Sequence, residues 1–179
     1  TGDTPTAFIQ ESSCLFDGTN VLEAPDSNSF SFGNGVKDQP FSISCWVKFT
    51  SLTNNQVLVA KSSSGFSEWY LFKNTGDGVL RIHLQDIDSS GALGRAAAVS
   101  TDTITAGLWY HVAVTYLGNA GESANTTNSN GLKIYINAVD CTDSYATGQY
   151  YSAMHNTVAN PSIGNFDDEM GSYGLDGNL

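Results

Sequence analysis

The chain is short of positive charge. Over 179 residues it carries 7 Lys and Arg against 18 Asp and Glu, a formal charge of −11. So few cations cannot neutralise a run of phosphates, which excludes nucleic acid and makes an anionic membrane surface a poor partner. No apolar run approaches the about 18–20 residues of a membrane span, so no membrane insertion is expected. The three cysteines, Cys14, Cys45 and Cys141, form no CxxC pair, which removes the zinc-knuckle and thioredoxin-like readings. Only 4 Pro and 2 Met are present, and charged residues make up only 14%. Helical periodicity is almost absent. The chain opens at Thr1 with no charged-then-apolar leader. That is compatible with a secreted protein whose signal peptide has been removed, or with a trimmed chain.

What is present is period-two alternation. Phe41, Ile43, Cys45, Val47 and Phe49 alternate with Ser42, Ser44, Trp46 and Lys48. Tyr110, Val112, Val114 and Tyr116 alternate with His111, Ala113 and Thr115, and Leu80, Ile82 and Leu84 are set against Arg81 and His83. Further short strands are expected over 14–16, 21–23, 56–61, 69–73, 95–100, 132–136 and 139–142. Turn signals such as Asp17-Gly18, Asn34-Gly35, Asp77-Gly78, Asn130-Gly131 and Asp176-Gly177 punctuate the chain. Hydrophobic residues at 40% exclude a disordered chain. The pattern predicts an all-β protein, a two-sheet antiparallel β-sandwich with no second folded domain and no internal repeat. Residues 62–67, 86–94 and 118–131 read as loops. The sequon at Asn125, in the last of them, is a candidate N-glycosylation site in an extracellular chain, although such triplets also arise by chance.

Several segments in order and spacing resemble the laminin G-like (LamG-like), concanavalin A-like jelly-roll family. They are Leu15-Phe16-Asp17-Gly18, Phe41 to Lys48, Trp69-Tyr70-Leu71-Phe72, Gly107 to Tyr116, Leu132 to Asn137 and Ile163-Gly164-Asn165. The resemblance implies a jelly roll over residues 12–179, preceded by an N-terminal extension or donor arm over 1–11. Two departures bear on structure. Ala138 follows Asn137 where the family usually has Gly, which implies a different hairpin turn or mild strain. The sequence also stops where the family continues into one more strand, so the final closing strand is expected to be absent.

The family often holds calcium between an early loop and the loop before its last strand. Asp17 and Asp26 are the early candidate ligands, and Asp167, Asp168 and Asp176 the late ones. The competing reading is that these carboxylates only shape Asp-Gly turns or a solvated acidic loop. Carbohydrate binding needs aromatic rings at a rim, for which Trp69, Tyr145, Tyr150, Tyr151 and Tyr173 are candidates. The tyrosine-rich stretch 145–155 reads more readily as a strand with half-buried rings than as a binding platform. Trp46 and Trp109 are expected to pack against the sandwich. No strand-borne pair of carboxylates, GxSxG elbow or HExxH motif occurs, so no enzyme is expected. Cys45 points inward with Ile43 and Val47, which leaves Cys14 and Cys141 as the intrachain pair to test against a structure.

Two functions follow. The first is an extracellular, non-catalytic adhesive module, the repeating subunit of a filament in which the arm residues Ala7, Phe8 and Ile9 complete a neighbouring copy head to tail. The second is a calcium-dependent, lectin-like carbohydrate-binding module.

Overall fold

A computed structural model of the protein describes residues 12–63, 66–76, 78–87, 93–118, 131–147, 151–166 and 173–179. In chain order the strands are β1 (Leu15–Asp17), β2 (Leu22–Glu23), β3 (Phe41–Phe49), β4 (Gln56–Ser63), β5 (Phe66–Lys73), β6 (Val79–Ile87), β7 (Leu93–Thr103), β8 (Tyr110–Tyr116), β9 (Leu132–Ile136), β10 (Val139–Asp140), β11 (Thr142–Thr147), β12 (Pro161–Ile163) and β13 (Asp176–Asn178). They form a six-stranded sheet, β1-β13-β3-β8-β9-β10, and a seven-stranded sheet, β11-β7-β6-β5-β4-β12-β2. All pairings are antiparallel.

The alternation explains which side chains are buried. Phe41, Val47 and Phe49 from β3, Val112 and Val114 from β8, and Ile134 and Ile136 from β9 meet Leu80, Ile82 and Leu84 from β6 in the interior. Ile43 and Cys45 are only partly buried against this core. Because a strand turns every second side chain outward, Trp46 and Trp109 do not pack against the interior as expected; they are 52% and 41% exposed. Trp46 lies beside the His111 ring, and the Lys48 ammonium sits 5.3 Å from the Trp109 ring.

Three expectations need correction. The closing strand is present: β13 pairs with β1 on one side and β3 on the other. It escaped notice because Asp-Gly-Asn carries no apolar alternation and its centre, Gly177, packs where any Cβ would run into the Lys48 carbonyl. The filament reading rested on that strand being missing, and loses its premise. Secondly, Cys14 and Cys141 do not pair. Cys14 leads into β1 and Cys141 follows β10, the two opposite edges of the six-stranded sheet. Five strand steps separate them by about 24 Å, against the about 7 Å limit between Cα atoms of a disulfide. All three cysteines are free thiols, and burial pushes the Cys45 thiol up to about 12, which leaves it unreactive. Thirdly, the strands run further into the segments read as loops than expected: β4 and β5 pair as far as Ser63 opposite Phe66, and β6 and β7 as far as Ile87 opposite Leu93.

The β9–β10 hairpin keeps its tight turn despite Ala138. Asn137 and Ala138 have φ of 51° and 66°, the two left-handed residues of a type I′ turn. Asn137 donates its N–H to the His111 carbonyl (2.8 Å) and accepts the His111 N–H at Oδ1 (3.0 Å), which holds the turn against β8. Ala has no such compensating bond for its strained backbone. Ala138→Gly should therefore raise stability by about 0.5–1 kcal/mol in urea unfolding, with an unchanged denaturant slope.

The arm residues Ala7, Phe8 and Ile9, the sequon Asn125, Tyr150, Asp167 and Asp168 lie outside the described residues.

Candidate functional site

The outer face of the seven-stranded sheet, turned away from the core, is not an ordinary solvated face. Its alternate positions place Tyr70 and Phe72 on β5, Arg81, His83 and Gln85 on β6, and Arg95 and Ala97 on β7 side by side. After β12 the chain folds over this face. Gly164 makes the turn with φ +86°, and a Cβ there would collide with the Phe16 ring. Phe166 then stands edge-on to Tyr70, with centroids 5.2 Å apart and planes at 87°, and lies 5.1 Å from Tyr173. The Tyr173 carbonyl is tied to Val57 N–H (2.9 Å). A second apolar cluster of Val57, Ala60, Phe72 and Phe166, with Tyr70 and Tyr173 against it, thus forms outside the main core.

Beside this cluster lies a groove of about 390 Å³ whose polar lining includes Asn55, Asn74, Arg81, His83, Gln85 and Arg95. At its floor, Gln85 Nε2 donates to the Tyr70 hydroxyl (2.9 Å), and that hydroxyl meets His83 Nδ1 at 2.7 Å. A phenol that accepts from Gln85 gives its own proton to Nδ1, so the His83 proton sits on Nε2. Burial, reinforced by the nearby Arg95 and Arg81 cations, pushes His83 down to about 3. Burial pushes Tyr70 up, with Arg95 opposing. Both rings are therefore neutral at physiological pH, and the positive charge belongs to the guanidinium groups. Two of the chain's seven Lys and Arg thus line one groove of a strongly acidic protein. Among its described lining residues there is no carboxylate. Ring faces beside amide, hydroxyl and guanidinium donors suit a polyhydroxylated ligand.

Of the five aromatic candidates, Tyr173 lines this groove. Trp69 does not: it is inward on β5, its indole N–H donates to the Phe30 carbonyl (2.9 Å), and it packs on Phe32 and Phe41. Tyr151 is buried too, its hydroxyl donating to Asp38 Oδ2 at 2.6 Å beside Tyr116, which does the same. Burial pushes the Asp38 carboxyl up, and these donors oppose it. Tyr145 lies in β11 opposite Ala98.

The carboxylate candidates divide similarly. Asp17 and Asp176 face each other across β1 and β13 and share a polar cleft of about 140 Å³ with Ser51, Thr53, Asn54 and Gln56. The Thr19 hydroxyl and N–H hold the Asp17 carboxyl below its usual value. Asp26 does not join them, because it is bound to Lys61 Nζ (2.8 Å). That ammonium is wholly buried, and it also meets Glu68 Oε1 (2.9 Å) and the carbonyls of Thr157 and Ala159. A register shift between β4 and β5 at Lys61/Ser62 makes this possible: it leaves Glu68 without a cross-strand partner and brings it to Lys61.

Sequence reasoning passed over Tyr70, Arg81, His83, Gln85, Arg95 and Phe166. The available signal was the polar face of β6: Arg81, His83 and Gln85 at every second position, with two of them cationic or titratable in a chain poor in cations.

The comparisons agree with this architecture. The profile described as the concanavalin A-like lectin/glucanases superfamily, in its laminin G-like branch, matches residues 16–179. Domains LG4-5 of the mouse laminin alpha1 chain are similar with a TM-score of 0.55 at 15% identity, over 92% of this chain and 38% of that one. The native heptameric SAP-like pentraxin from Limulus polyphemus is similar with a TM-score of 0.50 at 17% identity, over 90% of this chain and 73% of that one. Identities this low speak to the fold alone. No curated protein matches. With its two-sheet topology and a family match that runs from β1 through β13, the chain belongs to the laminin G-like family of the concanavalin A-like lectin/glucanases superfamily.

Proposed function

We propose that the domain is a non-catalytic, extracellular binding module that takes carbohydrate in the groove on the outer face of its seven-stranded sheet. One observation carries the reading: the rings of Phe72, Phe166 and Tyr173 stand beside Arg81, Arg95, His83 Nε2–H and the amides of Asn55 and Asn74 in a single concave site. Sugars present apolar C–H faces to rings and hydroxyls to such donors. A glycosidase needs two carboxylates flanking the scissile bond, and the described lining residues supply none. The test is a glycan array followed by calorimetry of the best-retained oligosaccharide. Tyr173→Ala and Arg95→Ala should each weaken binding by about tenfold or more. Trp46→Ala, on the opposite sheet, should leave it unchanged. Equal binding by all three variants would contradict the assignment.

A calcium ion is a second reading, favoured by the register that sets Asp17 against Asp176. Two carboxylates, with oxygens from Ser51, Thr53 and Asn54 on the same cleft, are the hard donors calcium prefers. Calcium at a hundred times its Kd would stabilise the fold by about 2.7 kcal/mol. Melting should rise accordingly in the native chain and not in Asp176→Asn. A flat titration of the native chain through millimolar calcium would dismiss the site.

A further inference from the structure

Four of the chain's seven Lys and Arg are engaged by the protein itself. Lys61 is held by Asp26 and Glu68, and Lys133 by Asp140. Lys73 donates to the carbonyls of Leu52 and Asn54, and Lys48 lies over the Trp109 ring. Arg95 differs from all four. It is an outward residue of β7, opposite Gln85 of β6, and it is exposed. Among the described residues no carboxylate pairs with it. Arg81, the other arginine of the groove, stands four residues before Gln85 on β6, about 13 Å along the strand, and is the less exposed of the two.

The Arg95 guanidinium stands at the floor of the outer groove, where its charge acts on Tyr70 and His83 alike and lowers both. Those two side chains are committed to each other. The phenol gives its proton to His83 Nδ1 and accepts from Gln85 Nε2, which leaves the His83 Nε2–H and the guanidinium as the donors at this point of the lining. A sugar hydroxyl both donates and accepts, so such a patch uses only half of what a hydroxyl offers. An ionised carboxylate or sulfate ester accepts only, and it matches the parallel N–H donors of a guanidinium fork with charge-assisted bonds.

We propose that the glycan of this groove carries a single acidic unit, and that Arg95 selects it by binding its carboxylate or sulfate ester beside the His83 Nε2–H. The proposal rests on the carbohydrate reading of the groove and adds the chemical class of the ligand to it. One acidic unit is specified, not a run of them, because a chain of net charge −11 cannot accompany a polyanion. At physiological salt that net charge is screened beyond about 8 Å, whereas the guanidinium meets its anion directly. Gln85 and Tyr70 are positioning residues here. They fix the His83 tautomer that presents Nε2–H to the ligand.

The test uses the 179-residue chain. On a glycan array the best-retained oligosaccharides should carry one uronic acid or one sulfated sugar in an otherwise neutral chain, and which of the two is retained names the source of the charge. Calorimetry then compares that oligosaccharide with its neutral counterpart, made by reducing the carboxyl to the alcohol or by removing the sulfate. The acidic form should bind at least about tenfold more tightly. Arg95→Gln should bring that ratio to about one, and Arg95→Lys, which keeps the charge, should keep the acidic form ahead. Tyr173→Ala should weaken both forms and leave the ratio standing. Retention of neutral glycans alone would overturn the inference, and so would equal affinity for the two forms while Tyr173→Ala still weakens both; either result leaves the carbohydrate reading intact. A preference that survives Arg95→Gln would also overturn it, by placing the anion elsewhere. Retention of no glycan at all would overturn the inference and the carbohydrate reading together.

Discussion

Replacing Lys61 by Met should cost the fold about 3–5 kcal/mol, the penalty of stranding a buried charge. Lys61 and Glu68 are both fully buried, and each is tied to the loops that close one end of the sandwich. Lys61 Nζ holds Asp26, Thr157 O and Ala159 O. Glu68 Oε1 accepts from Ser31, from the Thr157 N–H and from the Thr157 hydroxyl. Met fills most of the lysine's volume, so the loss measured is electrostatic rather than a cavity. Urea unfolding at neutral pH reads it directly. Adding Glu68→Leu to the same protein should recover part of the loss, because the stranded charge is then gone. A cost below about 1 kcal/mol for Lys61→Met would mean that the ammonium does not neutralise Glu68.

Acid should destabilise the protein through His83. Burial pushes its imidazole down to about 3 in the fold, from the 6.5 of an ordinary histidine. The unfolded chain therefore takes up a proton that the folded chain refuses. The stability His83 contributes is fully present above pH 6.5 and drains away as the pH falls toward 3. Between pH 7 and pH 4 the loss amounts to about 3 kcal/mol. Asp38 acts in the opposite sense, since burial raises its pKa and favours the folded state as it protonates. The clean observable is therefore the difference between the native chain and His83→Gln. That difference should shift by about 3 kcal/mol over this range, with the native chain the more acid-sensitive. Parallel curves would show that His83 is solvated and that the groove floor is open to water.

The fold was largely legible because its strands advertise themselves. Phe41 to Phe49 and Tyr110 to Tyr116 alternate without interruption, and burial of one face follows from the period of two. Strands that do not depend on alternation were harder to see. β13 is Asp-Gly-Asn, held by backbone bonds and by the close approach of Gly177 to Lys48. The aromatic candidates were chosen by residue type. Yet the alternation of β5 turns Trp69 inward with Leu71, opposite Leu84, and Asp38 draws Tyr151 into the interior. The groove was hidden for a related reason. Arg81, His83 and Gln85 look like an ordinary solvated face in sequence, and only the fold-over of Phe166 and Tyr173 turns that face into a site. The pairing of Asp17 with Asp176 joins two turn signals 159 positions apart, which no local pattern could reveal.

Ligand is expected in this groove and not on the exposed Trp46 and Trp109 face of the other sheet. The most direct measurement is an NMR titration of the protein with the oligosaccharide best retained on a glycan array, following backbone amides and the His83 imidazole together. Saturable shifts should centre on Tyr70, Arg81, His83, Gln85, Arg95 and Tyr173, with Trp46, Trp109 and His111 unmoved. Shifts centred on Trp46 and Trp109, with His83 unmoved at saturation, would contradict the account.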